Sequence, residues 1–287
     1  LWPTAISLDW ATAHYDPDHD AAARRLFTSL QQSIQAQLRA QRQSALSESV
    51  RKITISTRHT GPPEQYTQGP STTFTARWAH TRQEAHAADL ALQFYTIDMW
   101  QMAGTDINAY YDPQFNQVYL TPAITRALWS ASYSTRVARL GFVIAHEIGH
   151  ALHSQDTDRI PIGSRAAYTA GVVCLMDEFG VNGTTVQEDM ADRVAAAAVI
   201  RMLAPLGMGT SRALCNPHCV STTGLGRSLV EMAQVWCSTT PEAHYNQDPH
   251  SPNRARVDHS LRQTPAIMAT WGCAKPTREA TCTVIGA

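Results

Sequence analysis

His146-Glu147-Ile148-Gly149-His150 is the segment whose residue types and spacing most directly imply chemistry. On a helix, residues four apart share a face, so His146 and His150 can aim their imidazoles at one point. Glu147 then stands beside a metal held there, placed to take a proton from a zinc-activated water. A catalytic zinc needs a third protein ligand and an open fourth position. The continuation needed for a third histidine is absent, and His153 comes too early to supply it. Glu188 is the better candidate, in Gln187-Glu188-Asp189-Met190-Ala191-Asp192. Asp192 lies one turn further along, where it can orient a ligand histidine through its other ring nitrogen. The competing explanation for these acids is ordinary enrichment in a helix's first turn.

These residues need a helical frame. Asp16 to Asp20 supply helix-start chemistry, and Leu26, Leu30, Ile34 and Leu38 recur at helical spacing, predicting an amphipathic helix over 21–42. Further helices are expected over 76–95, 136–153, 188–203, 225–236 and 254–269. Two short strands joined at Asp112-Pro113 are expected between 107 and 120. The Gly- and Pro-rich stretch 60–73 reads as a loop.

The 287 residues are 44% hydrophobic, with 23 basic and 24 acidic residues and a net charge of -1. That balance argues against a nucleic-acid partner. No apolar run approaches the roughly 20 residues of a membrane span. The chain opens at Leu1 with no charged-then-apolar leader, which reads as a processed or trimmed chain. The six cysteines all lie from Cys174 onward without a CxxC pair, favouring disulfides and an oxidising compartment.

Several segments together resemble the catalytic domain of the neprilysin and endothelin-converting-enzyme metallopeptidases. Asn108-Ala109-Tyr110-Tyr111 matches that family's NAYY, with Trp100 upstream, and Gly141 to Glu147 resembles its GxVIGHE. Glu188 to Asp192 resembles ENIAD, and Val235-Trp236-Cys237 matches VWC. Asp248-Pro249-His250-Ser251-Pro252 with Arg256-Val257 resembles DxHSPxxxRV. The segments keep the family's order from about Trp100 to Cys282.

The resemblance implies an α+β, mainly α, thermolysin-like (gluzincin) zinc peptidase catalytic domain with a small sheet. Residues 1–99 would form an N-terminal helical segment packed on a catalytic region over 100–287. One catalytic zinc would be held by His146, His150 and Glu188, with Glu147 as general base. His250 would donate to the oxyanion with Asp248 orienting it, and Asp192 would position a ligand histidine. Asn108 and Ala109 would hold an extended peptide on an edge strand, and Arg256 a substrate carbonyl. Phe142, Val143, Ile124, Trp129 and Trp236 would line a pocket for a bulky hydrophobic residue after the cut.

The resemblance also implies a Cys174–Cys282 disulfide. The family's counterparts of Cys237 and Cys273 pair with N-terminal cysteines that this chain does not carry, so the resemblance suggests Cys237 with Cys273, leaving Cys215 with Cys219. The chain departs from the family in carrying Val194-Ala195 after the acidic motif, His153 after the HExxH segment, and only about a hundred residues before Asn108, too few for the family's helical lid. Without that lid the cleft would stand open, admitting more than small peptides; alternatively, a separate chain or a cleaved pro-segment would cover it. The expectation is a secreted or extracellular zinc endopeptidase acting on peptides or proteins. The rival expectations are a zinc aminopeptidase, for which no amino-terminus site is evident, and a non-catalytic binding protein on the same scaffold.

Overall fold

The computed structural model describes residues 13–57, 105–152, 160–179, 185–206, 224–237 and 250–260, with Gly183, Cys282, Val284 and Gly286. The expected helix over 76–95, the loop over 60–73, and Trp100, His153, Cys215, Cys219, Asp248 and Cys273 lie outside the described residues.

The first helix, α1 (Pro17–Ala40), starts four residues earlier than its apolar stripe suggests. Asp16 caps it by accepting from the backbone N–H groups of Asp18 and His19, and Pro17 occupies the first turn, where a missing N–H costs nothing. Helix α2 (Ser44–Arg51) follows, then strand β1 (Thr54–Ser56). Strands β2 (Ala109–Asp112) and β3 (Gln117–Leu120) form the expected hairpin. Asp112 Oδ1 accepts from Gln114 N in the turn, and Asn116 takes the left-handed conformation at φ 50°. The sheet order is β1-β3-β2, with β1 parallel to β3 and β2 antiparallel to it. Arg24 and Gln31 of α1 donate to the carbonyls of Ile55 and Ile53, so α1 engages β1, while β2 is left at the opposite edge.

The single helix expected over 136–153 is divided. Helices α3 (Pro122–Ala127) and α4 (Tyr133–Arg136) lead into a π-helical segment, Val137–Gly141, and only then into α5 (Phe142–His150). A π turn carries an extra residue, which re-aims every side chain downstream of it. Helix α5 is buried nearly all round, from Phe142 to Gly149 with only Val143 and His150 half-buried. Helices α6 (Ile162–Phe179) and α7 (Val186–Leu203) follow. Helix α7 continues unbroken through Val194 and Ala195, both fully buried. A 3-10 turn at Ala204–Leu206, α8 (Gly224–Ala233), a 3-10 turn at Gln234–Trp236 and α9 (Asn253–Ser260) complete the described elements.

One apolar core joins them: Leu26, Leu30 and Ile34 of α1 belong to the same buried cluster as Leu140, Ile144 and Ile148, and as Val194 and Val199. The chain's end is fastened to it. Cys174 of α6 is bonded to Cys282, Gly286 N–H donates to Gln41, and Arg201 donates to the Gly286 carbonyl. Gly286 sits at φ 84°, and a Cβ there would meet Leu152 at 2.7 Å. Cys237 is exposed.

Helices α5 and α7 cross at Gly149. A Cβ on Gly149 would lie 2.9 Å from the Ala191 Cα, so glycine alone allows this approach. A side chain here must push backbone rather than a flexible tip. Gly149→Ala is therefore expected to destabilise the chain by about 1–3 kcal/mol, read as a lower urea midpoint at unchanged m-value; an unchanged midpoint would contradict the packing.

Candidate active site

The crossing of α5 and α7 brings three nitrogen and oxygen donors together. His146 Nε2 and His150 Nε2 are 3.0 Å apart. Glu188 Oε2 lies 3.1 Å from the first and 3.5 Å from the second. His250, at the start of the segment leading into α9, brings its Nε2 to 3.2 Å from the same oxygen. Glu188 Oε2 is buried, and no hydrogen bond satisfies it.

Tautomer chemistry explains why the centre needs a cation. Asp192 is fully buried, and its Oδ1 lies 2.8 Å from His146 Nδ1. An ionised carboxylate only accepts, so Nδ1 carries a proton and Nε2 is the nitrogen turned toward Glu188 and His150, where it holds either a second proton or, in the neutral ring, a lone pair for a metal ion. Lone pairs facing one another repel unless a proton or a metal ion sits among them. Burial disfavours a charged His146 ring, but Asp192, Glu188 and Glu147 outweigh it and push its pKa up to about 10. Burial would raise the Glu188 pKa, yet the facing imidazoles of His146, His150 and His250 hold it far below the carboxylate range.

The donor set fits zinc. Two ligands about 2.0–2.2 Å from a tetrahedral zinc stand about 3.3 Å apart, and the observed spacings of 3.0, 3.1 and 3.5 Å bracket that value. Among the described residues, His146, His150 and Glu188 are the one cluster of potential metal donors lying within 4.8 Å of one another.

Asp192 is itself held. Arg256 Nε and Nη2 donate to its two oxygens at 2.7 and 2.8 Å, a bidentate pair. Burial raises the Asp192 pKa, but Arg256 and then His146 lower it more. Arg256 also lies over the Trp236 ring, 5.5 Å from its centroid. The structure therefore places Arg256 both on Asp192 and in the cleft wall, where the sequence suggested only a substrate contact.

The centre opens into a cleft of about 620 Å³. Glu147, 6% exposed, lines it beside the histidines. Asn108 and Ala109 form part of one wall, Ala109 on the edge strand β2. Asn108 Oδ1 accepts from the Ala109 N–H at 2.9 Å, so its side chain shapes its own backbone. Phe142, Val143, Ile124 and Trp236 line an apolar part of the cleft, with Phe142 and Trp236 packed edge to face at 4.5 Å. Trp129 is a correction: it is not part of the cleft lining but stacks on His19 at 3.7 Å, with Arg136 over its ring. It lies beyond the end of α3, which turns it toward α1 instead.

Sequence reasoning passed over Asp189, Ser251 and His259. Asp189 is fully buried and contacts both of the others. The available signal was a third acid between Glu188 and Asp192.

The family model "Peptidase family M13" matches residues 169–282. Human endothelin-converting enzyme 1 is 26% identical over 243 residues, covering 75% of this chain and 30% of the relative. Drosophila melanogaster neprilysin-3 is 23% identical over 199 residues, covering 61% of this chain and 25% of its own. Among solved structures, an inhibitor complex of a Mycobacterium tuberculosis zinc metalloprotease aligns with a TM-score of 0.68 at 19% identity, over 89% of this chain and 45% of that one. PepO of Lactobacillus rhamnosis aligns with a TM-score of 0.67 at 15% identity, over 96% and 47%.

The fold is mainly helical with a small mixed sheet and is shared with these solved zinc metalloprotease and PepO structures. Residues 169–282 match the family M13 model, and the chain is similar to the endothelin-converting-enzyme and neprilysin relatives to which the sequence resemblance pointed. It spans about a third of the length of the curated relatives it matches.

The buried Asp192 pair generates a stability prediction. Asp192→Ala leaves Arg256 and His146 buried without their acceptor and is expected to cost about 3–5 kcal/mol by urea denaturation; a loss under 1 kcal/mol would show that solvent reaches the pair.

Proposed function

We propose that this chain is the catalytic part of a secreted zinc endopeptidase. The observation that carries the reading is the convergence of His146 Nε2, His150 Nε2 and an orphaned Glu188 Oε2, with His146 fixed from behind by Asp192.

His146, His150 and Glu188 would hold one catalytic zinc ion, which would supply Lewis acidity at the scissile carbonyl and acidity to the attacking water. Glu147 accepts the proton of that water. It then delivers the proton to the leaving amine nitrogen, so one carboxylate serves as base and acid in turn. His250 donates from its ring to the carbonyl oxygen as negative charge develops there. Asp192 keeps the His146 ring in the tautomer whose Nε2 faces the centre.

The substrate is an extended peptide or protein segment paired along β2, with Asn108 and Ala109 reading its main chain. Pairing of this kind tolerates varied side chains. Selectivity then falls to Phe142, Val143 and Trp236, which favour a bulky hydrophobic residue just after the cut. Arg256 meets a substrate carbonyl from the cleft side while it grips Asp192. Residues 1–99 act as an N-terminal segment of the same catalytic unit as 100–287, and a further segment or chain would cover the cleft. The Cys174–Cys282 bond suits an oxidising, extracellular setting. No helix among the described residues is long and apolar enough to cross a membrane.

Glu147→Gln preserves shape and removes the base. Cleavage of a quenched peptide by the zinc-loaded chain should fall by about 10²–10⁴-fold, with one zinc per chain retained by atomic absorption. Normal cleavage by this variant would overturn the mechanism.

A further inference from the structure

One carboxylate of α7 is used neither by the donor set nor by the His146 pair. Asp189 is fully buried and does not line the cleft. Burying a charge is unfavourable unless its oxygens are hydrogen-bonded, and both are. Ser251 Oγ donates to Oδ2 at 2.6 Å, and His259 Nδ1 lies 2.9 Å from Oδ1. Ser251 is 4% exposed and directly follows His250; His259 lies near the end of α9.

A single side chain therefore grips both ends of the 251–259 segment. Between those ends, Arg256 grips Asp192, one turn along α7, through its paired bonds. The segment is fastened to α7 at three points, and His250 is the residue immediately outside the first. The His250 side chain is 37% exposed at the cleft wall, so the neighbouring Ser251 bond is the nearest buried anchor to its backbone.

We propose that Asp189 is a positioning residue that, through Ser251 and His259, fixes where His250 projects into the cleft. The inference rests on the reading of His250 as the oxyanion donor. Removing the Ser251 hydroxyl releases the His250 end while Arg256 and His259 keep α9 docked. Misplacing a catalytic group by about 1 Å can cost about a hundredfold in rate.

The test compares Ser251→Ala, His250→Ala and the double variant of the zinc-loaded 287-residue chain. Ser251→Ala should lower kcat by about ten- to a hundredfold, with KM within about twofold and zinc content unchanged. Ser251→Thr, which keeps the hydroxyl, should recover most of the loss. In the His250→Ala background, Ser251→Ala should have no further effect, because the two act as one unit. An unchanged kcat for Ser251→Ala, or an equal loss in both backgrounds, would overturn the proposal.

The His250 ring signals in an NMR spectrum of the zinc-loaded, substrate-free chain provide a readout independent of turnover. They should shift or broaden in Ser251→Ala; signals identical to the parent's would overturn the proposal. Movement of these signals in a chain that cleaves no peptide would uphold the positioning and sink the peptidase reading. Should Ser251→Ala not fold, Asp189→Asn keeps the volume and one acceptor oxygen, and its His250 signals are read the same way.

Discussion

Three carboxylates stand along little more than one turn of α7, Asp189 and Asp192 fully buried and Glu188 half-buried with its Oε2 shielded from solvent, and the rest of the structure is arranged around satisfying them. An unpaired buried charge costs several kcal/mol, so each acid must find donors. Asp192 takes Arg256 and His146, and Asp189 takes Ser251 and His259. Glu188 is left facing imidazole nitrogens without a hydrogen bond. Two acids are thus satisfied by protein, and the third offers an oxygen that a cation would complete. The difference between a structural carboxylate and a metal ligand is made by what stands opposite it.

That arrangement requires α5 and α7 to come unusually close, which small residues permit. Gly149 meets Ala191 with no room for a Cβ, and the following Val194-Ala195-Ala196 turn is fully buried. The α1 stripe backs α5, and the bonded chain end backs α7 near Leu152. Rigidity at the crossing keeps two histidines of one helix and a glutamate of another within reach of one point. The open side faces the edge strand β2, where an extended chain can add itself to the sheet.

Much of this was legible in the sequence because it is local. HEIGH declares two donors and a base by spacing alone, and the 26-30-34-38 stripe declares α1. The NAYY and turn pattern declares the β2–β3 hairpin. What was not legible depends on neighbours distant in the chain. Three residues of β1 carry too little pattern to reveal a parallel pairing with β3, sixty residues away. The π segment before α5 has no composition of its own and interrupts what reads as one helix. Arg256 was legible as a cleft residue, but its grip on Asp192, sixty-four positions earlier, could not be read from spacing. Trp129 was assigned to the apolar pocket by analogy of position, and a stack on His19 takes it elsewhere.

The centre would be complete only with a cation between the Glu188 oxygen and the two imidazoles. Anomalous diffraction at the zinc edge from crystals grown with zinc tests this most directly. One peak within about 2.0–2.2 Å of His146 Nε2, His150 Nε2 and a Glu188 oxygen is expected. A cleft without a peak there, or a zinc bound by other residues, would contradict it.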